Sequence, residues 1–374
     1  VAWGGSEELW AGAALHLAQA GHQVQAFKTN VDGQHRRVRA LREAGCPVTE
    51  LDPALGLRER LANRVLPYLK QYTRRKLGER ALARGLQTLR PQLTIVSQGS
   101  NYDGIAFAEL CRREGWPYVL LSQKAVDFFL PLFFERTLAQ RAYQHARRCF
   151  FVARHNLELT RRQLALPLPD AEVVWNPFNV SFTGELAWPA PSPDGRLRLA
   201  CVARLEILDK GQDLLLEVLA QPKWKQRPLT VSLFGAGHDD QAIGEMIRYF
   251  GLEKQVSFGG HVPDISAVWR SHHALVLPSR NEGLPLALVE AMLSGRPAIA
   301  ANAGGMAELL ADNETGFLAA APTAAALDEA LERAWDQRAN WPALGAAAAQ
   351  RARATVPTNA AEQLSSTLME LART

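Results

Sequence analysis

Cysteine is scarce: four residues in 374, at positions 46, 111, 149 and 201. They stand singly among apolar neighbours, none at metal-ligand spacing from another, and read as buried free thiols. That argues against a disulfide scaffold and a cysteine-held zinc site. No apolar run approaches the roughly 18 residues of a membrane-spanning helix, and no secretory signal pattern opens the sequence, so the expected location is the cytoplasm. No Asp-x-Asp triplet is present to clamp a metal-bound diphosphate, and no Walker A sequence to cradle a nucleotide triphosphate. The nine histidines form no ligating or catalytic set: His272-His273 precede a buried strand, His16 and His22 flank the first helix, and the others are isolated. Aromatic-rich nucleic-acid signatures are also missing, so no nucleic-acid partner is expected.

The chain is too long for one compact domain and comfortable for two. Its 47% hydrophobic and 21% charged residues are ordinary for a globular protein. The net charge of +4 is unevenly spread: residues 1–176 hold 25 Lys and Arg against 16 Asp and Glu, a net +9, and the remainder 17 against 22, a net −5. The first half is the one suited to an anionic partner. Within it, residues 57–84 interleave Arg58, Arg60, Arg64, Lys70, Arg74, Arg75, Lys76, Arg80 and Arg84 with Leu61, Val65, Leu66, Leu69, Tyr72, Leu77 and Leu82. Helical spacing makes this a basic amphipathic surface, suited to peripheral contact with the anionic inner face of a membrane or with an acidic glycan. The alternative is a solvated helix that packs its apolar stripe on its own lobe.

Short β-rich runs alternate with helical patterns, the rhythm of parallel sheets wrapped by crossover helices. Strands are expected at 23–28, 47–51, 93–97, 118–122 and 149–153, then at 197–203, 229–234, 255–258, 274–278 and 297–301. The proline-rich stretch 187–195 suits a linker. Domains are expected at 1–180 and 181–356, with a terminal helix within 357–374 that returns to the first. Two such sheets facing each other bind ligands between the carboxyl ends of their strands.

The densest candidate chemistry follows the expected strand 274–278. There Pro278-Ser279-Arg280-Asn281-Glu282-Gly283-Leu284-Pro285 leads into Leu286-Ala287-Leu288-Val289-Glu290-Ala291-Met292. Glu282 and Gly283 fall in a loop, Pro285 suits the first position of a helix, and Gly295 ends it. Glu290 lies within an apolar helical stretch, where a carboxylate needs a hydrogen-bonding partner, either a ligand or the protein's own backbone or an arginine. A second cluster, Arg204-Leu205-Glu206-Ile207-Leu208-Asp209-Lys210-Gly211-Gln212-Asp213, follows the expected strand 197–203. Arg204 leaves that strand's carboxyl end and Lys210 stands at the start of the next helix. Two cations at a helix N-terminus suit a diphosphate leaving group; the alternative is a solvated Arg and Lys on a loop. Gly4-Gly5, Gly235-Ala236-Gly237 and Gly304-Gly305 permit close backbone approach, although each also fits an ordinary βα turn. Ser6 reads as the N-cap of the opening helix and Gly21 as its stop. A helix with no strand ahead of it suggests that roughly 10–20 further residues precede it.

Together these motifs resemble glycosyltransferase family 4. The likeness runs from Arg204 and Lys210-Gly211 through Phe258-Gly259-Gly260, Glu282-Gly283-Leu284-Pro285 and Glu290-Ala291-Met292. It continues to Gly304-Gly305-Met306-Ala307-Glu308 and Thr315-Gly316-Phe317. Gly4-Gly5-Ser6-Glu7, Gly21-His22-Gln23-Val24 and Asn176-Pro177-Phe178-Asn179 extend it into the first half. The resemblance implies an α/β protein of GT-B fold, two Rossmann-like doubly wound parallel-sheet domains facing an interdomain cleft. It implies a retaining, metal-independent transfer of a hexose from a nucleotide-diphosphate sugar, with no cofactor, in polysaccharide biosynthesis or a related pathway.

On that resemblance Arg204 and Lys210 hold the donor diphosphate, Glu282 meets the transferred sugar and Glu290 the ribose hydroxyls. Gly283, Leu284 and Pro285 line the sugar and phosphate site, with Pro285 lacking an N–H to give, and Gly4-Gly5 approach the phosphates from the other lobe. His261 lies in a loop near the family's base-binding region. The donor is expected to be a UDP-sugar or, second, a GDP-sugar, and the acceptor a glycan, a lipid-linked sugar or a small molecule. The family's histidine after the fourth strand is replaced by Leu121-Ser122-Gln123-Lys124-Ala125, which leaves Gln123 as the acceptor-side candidate. A nucleotide-sugar epimerase and a non-catalytic nucleotide-sugar-binding protein stay open as readings of the same fold.

Overall fold

The computed structural model describes residues 3–51, 69–184, 187–190 and 195–373, with only the helical backbone described for 69–77. The first lobe carries β1 (Ala26–Lys28), β2 (Val48–Glu50), β3 (Thr94–Gln98), β4 (Tyr118–Ser122), β5 (Cys149–Phe151) and β6 (Glu172–Val173). The second carries β7 (Leu197–Val202), β8 (Leu229–Phe234), β9 (Val256–Gly260), β10 (Ala274–Leu277), β11 (Ala298–Ala301) and β12 (Gly316–Ala319). All named strand pairings are parallel. Parallel strands covered on both faces read as continuous apolar runs. Tyr118-Val119-Leu120-Leu121-Ser122 and Ala274-Leu275-Val276-Leu277 are such runs, buried throughout.

The second lobe is one six-stranded sheet in the order β12-β11-β10-β7-β8-β9. Strand order reverses between β7 and β10, so the loops leaving these two strands flank the crevice where an open α/β sheet takes its ligand. Trp224, Trp269 and Phe317 fill its core. Arg296 is also buried; its guanidinium donates to the carbonyls of Trp269, His272, Ser294 and Ala187, and burial pushes its pKa down to about 10.

The first lobe divides into the pair β1-β2 and the sheet β3-β4-β5-β6. Between β1 and β3 lies a cavity of about 900 Å³, lined in part by Phe27, Lys28, Ile95, Ser97, Leu17 and Leu368. The final helix, Ala360–Arg373, crosses to this lobe and lies on the helix Gly5–Gln19. Leu364 and Leu368 pack with Leu9 and Ala13, so closely that a Cβ on Gly12 would fall 2.7 Å from that of Ala361.

Four local expectations change. Gly4, not Ser6, is the N-cap of the first helix, because the Glu7 carboxylate reaches back to the Gly4 N–H at 2.9 Å. Pro285 is itself an N-cap, with the helix starting at Leu286. Lys210 ends a short helix, Ile207–Lys210, and Gly211 at φ +65° separates it from Gln212–Leu219. Strands β6 and β12 escaped the sequence reading because a two-residue strand and a Gly-led edge strand carry little β pattern.

All four cysteines are buried and free, and burial raises their pKa values to about 11 or 12. Much of the basic stretch 57–84 lies outside the described residues. In the part described, Leu82 is buried in the lobe's core while Arg80 and Arg84 face water. No helix among the described residues is long and apolar enough to cross a membrane.

Candidate functional site

After β7 the chain turns through Arg204 into the short helix Ile207–Lys210, and Gly211 then presses against the end of β10. A Cβ on Gly211 would come 2.1 Å from the Pro278 carbonyl oxygen, so only glycine lets the two loops close this far. Their contact brings Lys210 to Glu282: Nζ donates to Oε1 at 2.7 Å, with the two side chains only 12% and 8% exposed. Arg204 is 40% exposed; it donates to Glu206 at 2.8 Å and lies 3.5 Å from Asp209. Lys210 is therefore a desolvated, paired cation, while Arg204 partly matches the solvated alternative.

Asp209 ties both loops and both lobes together. Its carbonyl accepts from the Arg280 and Asn281 N–H groups, and its carboxylate accepts from Asn281 Nδ2. The other carboxylate oxygen accepts from Lys124 Nζ of the first lobe at 2.5 Å. Burial alone would raise its pKa, but Lys124, Lys210 and Asn281 outweigh burial and hold the carboxyl below its ordinary value. Arg280 makes a bidentate pair with Asp213, at 2.7 and 2.6 Å, which fixes the Glu282 loop from behind.

The loop after β11 buttresses the same place. Gly304, at φ +57°, lies where a Cβ would fall 2.1 Å from the Glu282 carbonyl oxygen, and the Gly305 N–H donates to the Gly283 carbonyl at 2.7 Å. Gly283 in turn abuts the first lobe, with a would-be Cβ 2.0 Å from the Gln123 carbonyl oxygen. Gly235 and Gly237 likewise pack on the Ala203 and Leu205 carbonyls. Here the glycines let loop approach loop, which is what sets Glu282 and Arg204 in place.

Glu290 is buried on the helix Leu286–Leu293. Its Oε1 accepts from the Asn179 N–H at 3.0 Å and from Asn179 Nδ2 at 3.2 Å, so the protein's own backbone supplies the partner that its burial requires. Burial, aided by the Glu8 charge and opposed by Asn179, pushes its pKa up to about 7. Gln123 is buried; its Oε1 accepts from Asn176 Nδ2 at 2.9 Å, and its own Nε2 has no partner among the described residues. Leu284 is buried beside Gly283. A Cβ on Gly5 would lie 3.2 Å from Leu286 across the cleft, while the Gly4 N–H is engaged by Glu7.

The structure thus brings Arg204, Lys210 and Glu282 together, with Gly283, Leu284 and Pro285 following in the same loop and Gly5 opposite. Lys124, Asp209 and Glu308 were missed as site residues. Glu308 spans the cleft and caps the helix Arg154–Leu164, accepting from the N–H groups of Arg154 and His155 at 3.0 and 2.8 Å. Its place at the end of Gly304-Gly305-Met306-Ala307-Glu308 was visible, but its partners on the other lobe were not. His272 and His273 are buried structural residues: His273 Nδ1 accepts from the Arg198 N–H at 3.0 Å, and burial pushes its pKa down to about 4.

Two facing lobes of parallel sheet, with charged loops at the switch point of one, define the GT-B architecture. The same fold recurs in HepE of Anabaena, solved with UDP-glucose, which is 17% identical with a TM-score of 0.72 over 98% of this chain and 96% of that one. It recurs in sucrose-phosphate synthase of Thermosynechococcus elongatus, 18% identical with a TM-score of 0.73 over 96% and 91%. Residues 184–354, which span the second lobe, match the family of glycosyl transferases group 1. A lipopolysaccharide core mannosyltransferase of Rhizobium leguminosarum bv. viciae is 40% identical over 143 residues, 37% of this chain and 40% of the relative. The D-inositol 3-phosphate glycosyltransferase of Arthrobacter sp. (strain FB24) is 29% identical over 208 residues, 54% and 48%. The aligned stretches span less than half the length of these curated relatives.

Proposed function

We propose that the protein is a retaining, metal-independent glycosyltransferase of family 4 type, moving a hexose from a nucleotide-diphosphate sugar to a glycan, lipid-linked or small polyol acceptor. The observation that carries this reading is the convergence of Lys210, Arg204 and Glu282 at the carboxyl ends of β7 and β10, a few residues from buried Glu290. A diphosphate entering there takes Lys210 from Glu282 and Arg204 from its acidic neighbours. The freed Glu282 carboxylate accepts from hydroxyls of the transferred sugar, and Glu290 exchanges Asn179 for the ribose diol.

As the acceptor oxygen bonds to the anomeric carbon, the bond from that carbon to the phosphate oxygen breaks. The acceptor proton passes to a phosphate oxygen of the departing nucleotide, so no side-chain acid or base is required. Lys210 and Arg204 stabilise the charge that develops on the diphosphate, and no metal is needed for that role. The order UDP before GDP is favoured by the UDP-glucose bound in HepE. The GDP-mannose-dependent mannosyltransferase of Mycolicibacterium smegmatis, 27% identical over 150 residues, keeps the second in view.

The test is product analysis with UDP-glucose or GDP-mannose and a panel of acceptor alcohols, in chelator. A glycoside with the donor's anomeric configuration supports the reading. An inverted product, an epimerised donor formed without acceptor, or strict dependence on added metal overturns it in the corresponding part.

A further inference from the structure

Between Phe128 and Phe134 six large apolar side chains stand in water: Phe128 is 76% exposed, Phe129 44%, Leu130 64%, Leu132 67%, Phe133 87% and Phe134 67%. Single exposed apolar residues are normal, but six within seven positions, interrupted only by the buried Pro131, mark a contact surface. The run is held in place. Gln163 Nε2 donates to the carbonyls of Val126 and Phe129 at 2.9 and 2.8 Å, and its Oε1 accepts from Asn101 Nδ2 and the Tyr102 hydroxyl at 3.0 and 2.8 Å. Asn101 Oδ1 accepts from the Val126 N–H at 3.2 Å. Asn101 and Gln163 are buried, so a buried polar clamp presents an apolar rim to solvent.

The rim grows out of the loop after β4, which starts at Gln123 and Lys124 beside the cleft. Its surroundings are basic. Arg141 and Arg162 are exposed on the two adjoining helices, and Arg136 anchors one helix to the Gln163 carbonyl. Asp127, the acidic group at the base of the rim, lies 3.2 Å from His155. Glu135 is a half-buried acid at the run's own helix start, and the exposed Glu158 on the other helix is paired with Arg161 at 2.9 Å; the first half of the chain as a whole carries the net +9 noted above.

We propose that Phe128–Phe134 is the surface by which the protein lies on an anionic lipid bilayer. Phenylalanine and leucine enter the boundary between headgroups and acyl chains, and the basic lobe rests over anionic headgroups. The cleft mouth then faces the plane in which a lipid-linked acceptor is held. Charge decides between a bilayer and a second copy of the chain: two copies joined through this rim would bring their basic flanks together, whereas an anionic surface complements them. The inference rests on the surface and not on the donor chemistry, so it is read by binding without any transfer.

The experiment is co-sedimentation of the full chain with vesicles of phosphatidylglycerol and phosphatidylcholine, and with phosphatidylcholine alone. It compares wild type with a Phe128→Ser, Phe133→Ser, Phe134→Ser variant whose melting temperature is checked. Because the four cysteines are buried, Phe133→Cys can also be labelled with an environment-sensitive dye. We expect binding to the anionic vesicles, a loss of about tenfold or more in the triple variant, weakening by salt, and a blue shift of the dye on the vesicles. Absence of wild-type binding, equal binding by the stably folded variant, or a dye that stays in water would overturn the proposal. So would a wild-type dimer that the same substitutions convert to a monomer while vesicle binding is unchanged.

Discussion

The two lobes are built on the same βα plan yet differ in how firmly they are determined. In the second lobe one continuous six-stranded sheet sets β7 beside β10, and the loops leaving them interlock through Gly211, Asp209 and the Arg280–Asp213 pair. In the first lobe the strands fall into two sheets with a cavity between them, the charge is strongly basic, and an apolar rim faces water. The contrast separates the two halves of the proposed reaction. A nucleotide diphosphate presents the same charge to every enzyme that uses it and demands a rigid, desolvated set of groups. Acceptors differ, and the surface that meets them is free to vary.

If that contrast holds, the largest effect comes from the buried pair. Lys210→Ala should lower transfer by about 10²-fold or more, the scale for losing one preorganised group that stabilises developing charge. Because Glu282 is buried and the Lys210 side chain is only 12% exposed, the single variant also leaves a carboxylate unpaired, at a cost of roughly 3 kcal/mol. Lys210→Met combined with Glu282→Gln should recover most of the stability and none of the activity. Recovery of both would show that the pair is only structural; denaturant melts alongside initial rates decide it.

Glu290 gives the next effect, and it depends on pH. Its folded pKa of about 7 lies above the ordinary carboxyl value, because burial disfavours the charge. The folded state therefore holds its proton more tightly than the unfolded state does. Stability is greatest below the unfolded pKa and falls as pH rises toward about 7, by about 3 kcal/mol in total. Glu290→Gln should remove that slope from stability curves measured between pH 4.5 and 7.5. If the ionised carboxylate receives the ribose, donor affinity in the wild type should rise through the same upper range, and the variant should be flat.

Effects on the contacts between the lobes should be smaller. Lys124→Ala cuts the link to Asp209 and should change the acceptor KM more than kcat, by up to about tenfold. Glu308→Gln weakens the cap across the cleft and should cost about 1 kcal/mol or less of stability, visible as a small shift in melting temperature. A Lys124 effect as large as that of Lys210 would contradict the division between the lobes.

Where the chain carries a local pattern, the sequence was a good guide to the structure. The apolar runs of β4 and β10 could hardly be anything but buried parallel strands, and the spacing between Glu282 and Glu290 placed one in a loop and one on a helix. The two-residue β6 left no such pattern. Lys124, Asp209 and Glu308 could not be recognised because their role depends on how the lobes face each other, which no local spacing encodes. The run at Phe128–Phe134 is harder still: its composition is that of a buried strand, and only the clamp from Asn101 and Gln163 turns it outward. The glycine turns were read as places for a ligand's approach, and the structure uses several of them for the approach of one loop to another.

The most direct measurement of the central claim is the melting temperature with UDP-glucose and with GDP-mannose, both in excess chelator, for the wild type and for the Lys210→Met, Glu282→Gln variant. A ligand that binds only the folded state raises its melting temperature by mass action. We predict that one of the two donors stabilises the wild type without metal and leaves the variant unmoved. Stabilisation of both proteins alike, or of neither by either donor, would contradict the assignment of this cleft as a metal-independent donor site.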